Sequence, residues 1–263
     1  MSWRSFVAVG DSFTEGMDDP YPVGGVYRGW ADLVATRLAA EVGPDFRYAN
    51  LAIRGRLFPG VVSEQVPVAL AMRPELISFA AGGNDALRRN FEPAVLIERF
   101  DRVVGELRDS GADVLVFRFA GSGLAKLPGQ RMIATRVAML NQAVSDTAER
   151  RGAKLVDLNA DEEFRNPLLW SVDRLHLSAI GHRRVAAHVL NVLGVGCDEE
   201  WLLVPPRPEP SPWLAARAAD LRWAGRYLAP WVKRRITGRS SGDLISAKRP
   251  TLAPVEPEAA SGT

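Results

Sequence analysis

The chain has 263 residues, 47% of them hydrophobic and 24% charged, ordinary values for a globular protein with enough length for one sizeable core. The formal net charge of +2 hides an asymmetry: residues 1–204 carry 23 Lys and Arg against 26 Asp and Glu, while residues 205–263 carry 10 against 5. The one cysteine, Cys197, excludes an intrachain disulfide, and no window reaches the ~18–20 uninterrupted apolar residues of a membrane-spanning helix. The N-terminus runs into an apolar strand without a small-residue cleavage site, so a cytoplasmic location is expected.

Taken in order, Ser5–Val9 is a short apolar run that ends at Gly10 and reads as a buried strand, with Gly10-Asp11-Ser12 emerging at its carboxyl end. Asp18 to Gly29 holds prolines and glycines and reads as a loop. Trp30 to Val42 repeats apolar residues at helical spacing and is stopped by Gly43-Pro44. A second strand spans Phe46 to Ala52, followed by the Arg54-Gly55-Arg56 loop and a helix from Val61 to Ala71 that is interrupted near Pro67. Glu75 to Ala81 is the third strand and leads directly into Gly82-Gly83-Asn84-Asp85. Pro93 to Arg108 is a helix with proline in its first turn, Asp113 to Phe119 the fourth strand, Arg131 to Arg150 a helix, and Lys154 to Leu158 the fifth strand. Ser178 is placed to cap a last helix reaching Leu193. Strands alternating with helices of this length imply right-handed crossovers, hence an α/β fold of three layers around a mostly parallel sheet.

At Pro205 the composition changes to Pro-Pro-Arg-Pro-Glu-Pro-Ser-Pro, an extended linker that ends a first domain at residue 204. Trp213 to Trp231 reads as an amphipathic helix with a basic face, carrying Arg217, Arg222 and Arg226 and followed by Lys233, Arg234 and Arg235. The remaining tail has too little apolar content to fold alone and is expected to be disordered.

All three histidines, His176, His182 and His188, fall just after the fifth strand or on the last helix. Asp173 and His176 are three apart, close enough for the carboxylate to hold the imidazole in one tautomer with Nε2 facing outward as a base. A serine hydroxyl needs such a base to act as a nucleophile near neutral pH. Acyl transfer also needs donors for the oxyanion, and Gly55, Asn84 and the Ser12 N–H follow the carboxyl ends of separate strands, where ligands of open α/β sheets bind. Each residue has a plain reading by itself: Ser12 as a helix cap, Asp173 as a turn former, Asn84 and Gly55 as turn residues. Their joint placement at one sheet edge favours the chemical reading.

Gly10-Asp11-Ser12, Asn50-Leu51-Ala52-Ile53-Arg54-Gly55, Gly82-Gly83-Asn84-Asp85 and Asp173-Arg174-Leu175-His176 resemble, in order and spacing, the four blocks of the SGNH/GDSL hydrolase family over approximately residues 5–193. Phe13 stands where the family name has leucine, and Leu177 where many members have proline. The resemblance implies a flavodoxin-like α/β/α sandwich with five parallel strands, and hydrolysis of esters or thioesters with no metal or organic cofactor. It also implies Ser12 as nucleophile, His176 as general base, Asp173 as its orienting acid, and Ser12, Gly55 and Asn84 as oxyanion donors.

The expected activity is therefore a serine carboxylesterase acting on small or medium acyl esters, with lysophospholipid, thioester and carbohydrate O-acetyl substrates as alternatives on the same site. His182 and His188 are expected to be structural, because one imidazole suffices. A zinc site from Asp173, His176 and His182 is disfavoured by the six-residue histidine spacing. Arg28, Arg54 and Arg56 read as surface residues of the crevice loops. The contrasting class is a non-catalytic module acting through the basic helix, which could dock on its own domain, lie on an anionic membrane through residues 213–235, or bind a partner. Docking is preferred, and nucleic-acid binding is not expected without a recognised module.

Overall fold

In a computed structural model of the protein, the described residues are 3–21, 27–121, 129–209, 212–230 and 240–255. Five strands, β1 (Ser5–Gly10), β2 (Arg47–Asn50), β3 (Leu76–Ala80), β4 (Asp113–Arg118) and β5 (Lys154–Asp157), pair in parallel, and β6 (Arg249–Pro254) closes one edge, giving the order β5-β4-β3-β1-β2-β6. The period-2 geometry of a strand divides each sequence between two faces. In β1, Phe6 and Ala8 enter one core cluster while Val7 and Val9 enter the other.

On the first face lie α2 (Gly29–Val42) and α8 (Ala179–Leu193), packed against each other over Trp30, Val34, Val185 and Val189. The second face is covered by α3 (Phe58–Glu64), α4 (Val66–Ala71), α6 (Pro93–Asp109) and α7 (Gln130–Arg151), around Phe58, Phe79, Phe100 and Val104. These two cores and the sheet between them are the three layers. Two one-turn helices follow strands directly: α1 (Ser12–Glu15) after β1 and α5 (Gly83–Ala86) after β3.

Three expectations need correction. The sheet has six strands, not five, because the segment expected to be a disordered tail supplies β6. That strand runs antiparallel to β2 with Arg47 opposite Pro254 and Tyr48 opposite Ala253, so a stretch unable to fold alone gains its backbone hydrogen bonds from an existing edge. Second, the helix expected to begin at Val61 begins at Phe58; the interruption expected near Pro67 is present, since α3 ends before Gln65 and α4 restarts with Pro67 in its first turn, the position at which proline's missing N–H costs no hydrogen bond. Third, the C-terminal helix Trp213–Trp223 passes into a π-helical turn at Ala224–Leu228. Trp231, Lys233, Arg234 and Arg235 of the expected basic face, and the last residues of the tail, lie outside the described residues.

β1 sits between β2 and β3, so the chain leaves it in opposite directions. A crevice opens at such a reversal, beyond the carboxyl ends of the strands. Ser12, the 51–57 loop and Asn84 follow β1, β2 and β3 there.

Candidate active site

Ser12 stands two residues beyond a strand end that is clamped in place. The buried Gln65 accepts a hydrogen bond from Gly10 N–H through Oε1 and donates through Nε2 to Gly10 O, both at 2.9 Å. A Cβ on Gly10 would lie 2.5 Å from Thr14 Oγ1 and 2.7 Å from Ala80 O, so only glycine permits this turn. Asp11 caps the following turn by accepting from Phe13 N–H at 3.1 Å. Phe13 plants that turn in an aromatic cluster, with ring centroids 5.5 Å from Trp30, 5.5 Å from Phe117 and 5.8 Å from Phe119.

Residues 170–177 form a hairpin-like turn closed by an antiparallel bridge between Trp170 and Leu177 and by the Ser171 N–H bond to His176 O at 2.8 Å. Ser178 ends it as the N-cap of α8: its Oγ accepts from Gly181 N–H at 3.3 Å and donates to Leu168 O at 2.6 Å. Within the turn, Asp173 Oδ1 accepts the backbone N–H groups of Leu175 and His176 at 2.9 and 3.0 Å. Its Oδ2 lies 2.5 Å from His176 Nδ1, and His176 Nε2 lies 3.1 Å from Ser12 Oγ. The structure therefore joins the three residues read as a unit into one chain of contacts.

The electrostatics follow from that chain. Burial disfavours an ionised Asp173, but the His176 ring and two backbone N–H groups outweigh it and hold the carboxyl down at about 2. An ionised Asp173 places the proton on Nδ1 and leaves the Nε2 lone pair for the Ser12 hydroxyl. Burial also works against an imidazolium at His176, yet Asp173, Asp18 and Asp11 together raise its pKa. For Asp11 itself burial dominates and pushes the carboxyl up to about 6, against the pull of Phe13 N–H, His176 and Asn84.

Asn84 sits beside Ser12, and both line one cavity with His176. Asn84 Nδ2 donates to Asp11 Oδ2 at 2.9 Å and to Arg56 O at 3.1 Å, so its two amide hydrogens hold the β1, β2 and β3 loops together. Gly55 is not among the residues lining that cavity. It stands in the adjoining loop at φ +73°, in the left-handed region, with Ser240 and Ser241 packed where a side chain would begin. The loop is tied back to the first turn by Glu15, which accepts Arg54 N–H at 2.7 Å and the Arg54 guanidinium.

Other singled-out residues lie elsewhere. His182 is buried, with Nδ1 accepting Trp30 N–H at 3.3 Å and Nε2 facing Met17 O at 3.1 Å; this neutral tautomer serves two backbone groups. His188 faces Asp161 at 2.7 Å, beside Arg184. Arg28, Arg54 and Arg56 are not freely solvated: each is partly buried in an ion pair, with Asp19, Glu15 and Glu64 respectively. Asp18, Asp173 and His176 bring ligand atoms within 4.8 Å of one another. Nδ1 and Oδ2 in that group already face each other, and Asp18 Oδ2 accepts a hydrogen bond from Ser171 Oγ.

The reading of the sequence assigned no role to Asp18, Gln65 or Glu15. Asp18 carries φ +70° and brings a second carboxylate to 3.9 Å from His176 Nδ1. A Gly-Met-Asp-Asp run before a proline marks a turn, but nothing local says that the turn faces residues 171–176.

The cavity encloses about 500 Å³, within the usual range for small-molecule sites. From Ser12 and His176 it runs between the 164–177 segment and α7, and its walls are mainly apolar, among them Phe13, Leu87, Phe119, Ile133, Val137 and Trp170.

Residues 8–184 match the GDSL-like lipase/acylhydrolase family. The esterase TesA of Pseudomonas aeruginosa is 31% identical over 115 residues, 43% of this chain. The alignment spans about half of that relative, 53% of its length. Among solved structures, the acetylxylan esterase Axe2 of Geobacillus stearothermophilus superposes with a TM-score of 0.60 at 21% identity, covering 77% of this chain and 97% of that one. A lipase/acylhydrolase of Enterococcus faecalis gives a TM-score of 0.58 at 21% identity, covering 72% and 94%. At these identities the two structures speak to the fold.

Proposed function

Because the chain belongs to the GDSL-like lipase/acylhydrolase family, we propose that it is an ester hydrolase that cleaves esters of apolar acyl groups through Ser12, His176 and Asp173. One observation carries this reading: the unbroken path from Asp173 Oδ2 through His176 to Ser12 Oγ, at 2.5 and 3.1 Å. Ser12 Oγ attacks the carbonyl carbon as its proton passes to His176 Nε2, and the ionised Asp173 stabilises the imidazolium that forms. The same imidazolium returns the proton to the departing alcohol. Water, deprotonated by His176, then attacks the acyl-enzyme, and the imidazolium returns that proton to Ser12 Oγ as the carboxylic acid departs.

The oxyanion is met by the Ser12 N–H at the first position of its turn and by Asn84, with Gly55 N–H, in the loop beside the cavity rather than among its lining, as the third donor. The opening N–H groups of a helical turn have no acceptor within it. Asn84 exchanges its bond to Arg56 O for the oxyanion, while its bond to Asp11 keeps the amide aimed. The apolar cavity receives the acyl chain, and a polar saccharide would leave its hydroxyls unpaired there. An acetyl ester of a sugar, the substrate type named for Axe2, would leave most of the cavity unfilled.

Ser12→Ala should lower kcat for a p-nitrophenyl ester by at least ~10³-fold, and a fluorophosphonate should label Ser12 in the unaltered protein. Retained turnover, or no labelling, would reject the mechanism. Across a series of acyl lengths, kcat/KM should rise from acetyl to medium chains. A maximum at acetyl would replace the proposed substrate class by short esters, and preference for lysophospholipids or thioesters would redirect it within the same mechanism.

A further inference from the structure

The C-terminal helix α9 (Trp213–Trp223) turns two different faces to its surroundings. Inward, Asp220 Oδ1 accepts from Arg174 Nη1 at 2.8 Å, and the Arg174 guanidinium lies 4.8 Å from the Trp223 ring centre. Arg174 lies between Asp173 and His176 and holds φ +60°, so the helix grips the turn that carries both residues. Outward, Leu214, Ala218 and Leu221 follow at i, i+4 and i+7 on one stripe, and Leu214 and Leu221 are 74% and 75% exposed. Trp213, next to Leu214 at the start of the helix but off that stripe, is 69% exposed, with Arg217 over its ring at 5.9 Å.

Asp220, the one acid between residues 213 and 230, points inward to Arg174. Among the described residues no carboxylate lies within ion-pair distance of Arg217, Arg222 or Arg226. An exposed apolar stripe beside uncompensated arginines, with an exposed tryptophan at the start of the same helix, has the chemistry of a helix lying at a lipid–water boundary.

We propose that the outer face of α9 seats on an anionic membrane surface and that Arg174 transmits this seating to the Asp173–His176 turn. Leucines enter the acyl boundary, arginines meet lipid phosphates, and a helix held at the surface holds Arg174 and its turn in one arrangement. The transmission step rests on the proposed function of that turn; the seating does not.

Seating is read by co-sedimentation of the Ser12→Ala protein, full length, with vesicles of phosphatidylcholine alone or with 30% phosphatidylglycerol, a composition of about one anionic lipid in three. Binding should require phosphatidylglycerol and weaken with salt. Arg217→Gln/Arg222→Gln/Arg226→Gln should weaken it on the order of 100-fold, and Leu214→Gln/Leu221→Gln should weaken it while leaving hydrolysis of a water-soluble ester unchanged. No binding, or binding indifferent to these changes, overturns the proposal; self-association abolished by the same substitutions without any vesicle binding overturns it in favour of a contact between copies of the chain.

Transmission is read in the unaltered enzyme: anionic vesicles should change kcat for the water-soluble ester, and Asp220→Asn should abolish that change while vesicle binding persists. If vesicles bind but kcat does not respond, transmission is overturned. If Ser12→Ala protein is fully active, the reading of the site fails and the seating result still stands.

Discussion

His176 faces three carboxylates at graded distances: Asp173 in contact, Asp18 at 3.9 Å, and Asp11 across the serine turn. All three favour the imidazolium, whereas only the neutral ring can accept a proton from Ser12. Rate therefore climbs with pH through the raised His176 pKa, and removing the Asp18 charge lowers that pKa. Asp18→Asn should move the acid limb of kcat/KM to lower pH with the plateau largely retained; a limb that stays in place would deny Asp18 any influence on the ring. Asp173→Asn differs in kind, since it also releases the tautomer, and should lower kcat by roughly 10³–10⁴-fold. His182 titrates in the opposite direction. Burial lowers its pKa from 6.5 to about 4, so the unfolded chain binds a proton between those values that the folded chain does not. Stability should fall as pH drops through that window, by roughly 3 kcal/mol, and His182→Gln should flatten this part of the Tm-against-pH curve.

β6 and the segment before it act as a strap over the β2 side of the site. Lys248 Nζ is buried against Asp32 at 2.9 Å and donates to Tyr27 O and Arg28 O at 2.9 and 2.6 Å. Asp32 also accepts the hydroxyls of Tyr21 and Tyr48 at 2.9 and 2.7 Å. Lys248→Met leaves that carboxylate buried without its cation, a change that costs about 3–5 kcal/mol and should appear as a lowered midpoint in urea. Six residues earlier, a Cβ on Gly242 would lie 2.2 Å from Arg54 O, so Gly242→Val should lift the strap from the Gly55 loop. With Gly55 in the role proposed for it, kcat should then fall more than KM rises; an unchanged kcat would mean that the loop holds its shape without the strap.

For the whole molecule, the strap settles which strand forms the sheet edge. A chain ending at residue 239 would leave β2 unpaired on one side, a template for association with other copies, and light scattering on warming should show earlier aggregation than in the full chain. The α/β class, the five parallel strands and Ser178 as the cap of α8 were legible because each rests on local pattern: apolar runs of strand length, helical periodicity, and a hydroxyl at a helix start. Ser12 and Asn84 were legible for a related reason, since their motifs fall just past the ends of β1 and β3 and a parallel sheet gathers those ends at one edge; Asp173 and His176 were legible because their spacing of three is itself a local pattern. By itself, then, the sequence determined the layers, the order of the elements and the residues at the crevice. Only the tertiary structure decided that Asp18 turns toward His176, that Gln65 clamps Gly10 from 55 positions away, that Asn84 holds three loops together, and that a polar, proline-bearing tail becomes β6. Those contacts join distant segments, and β6 draws its stability from the free edge of β2 rather than from its own composition, so no local pattern encodes them.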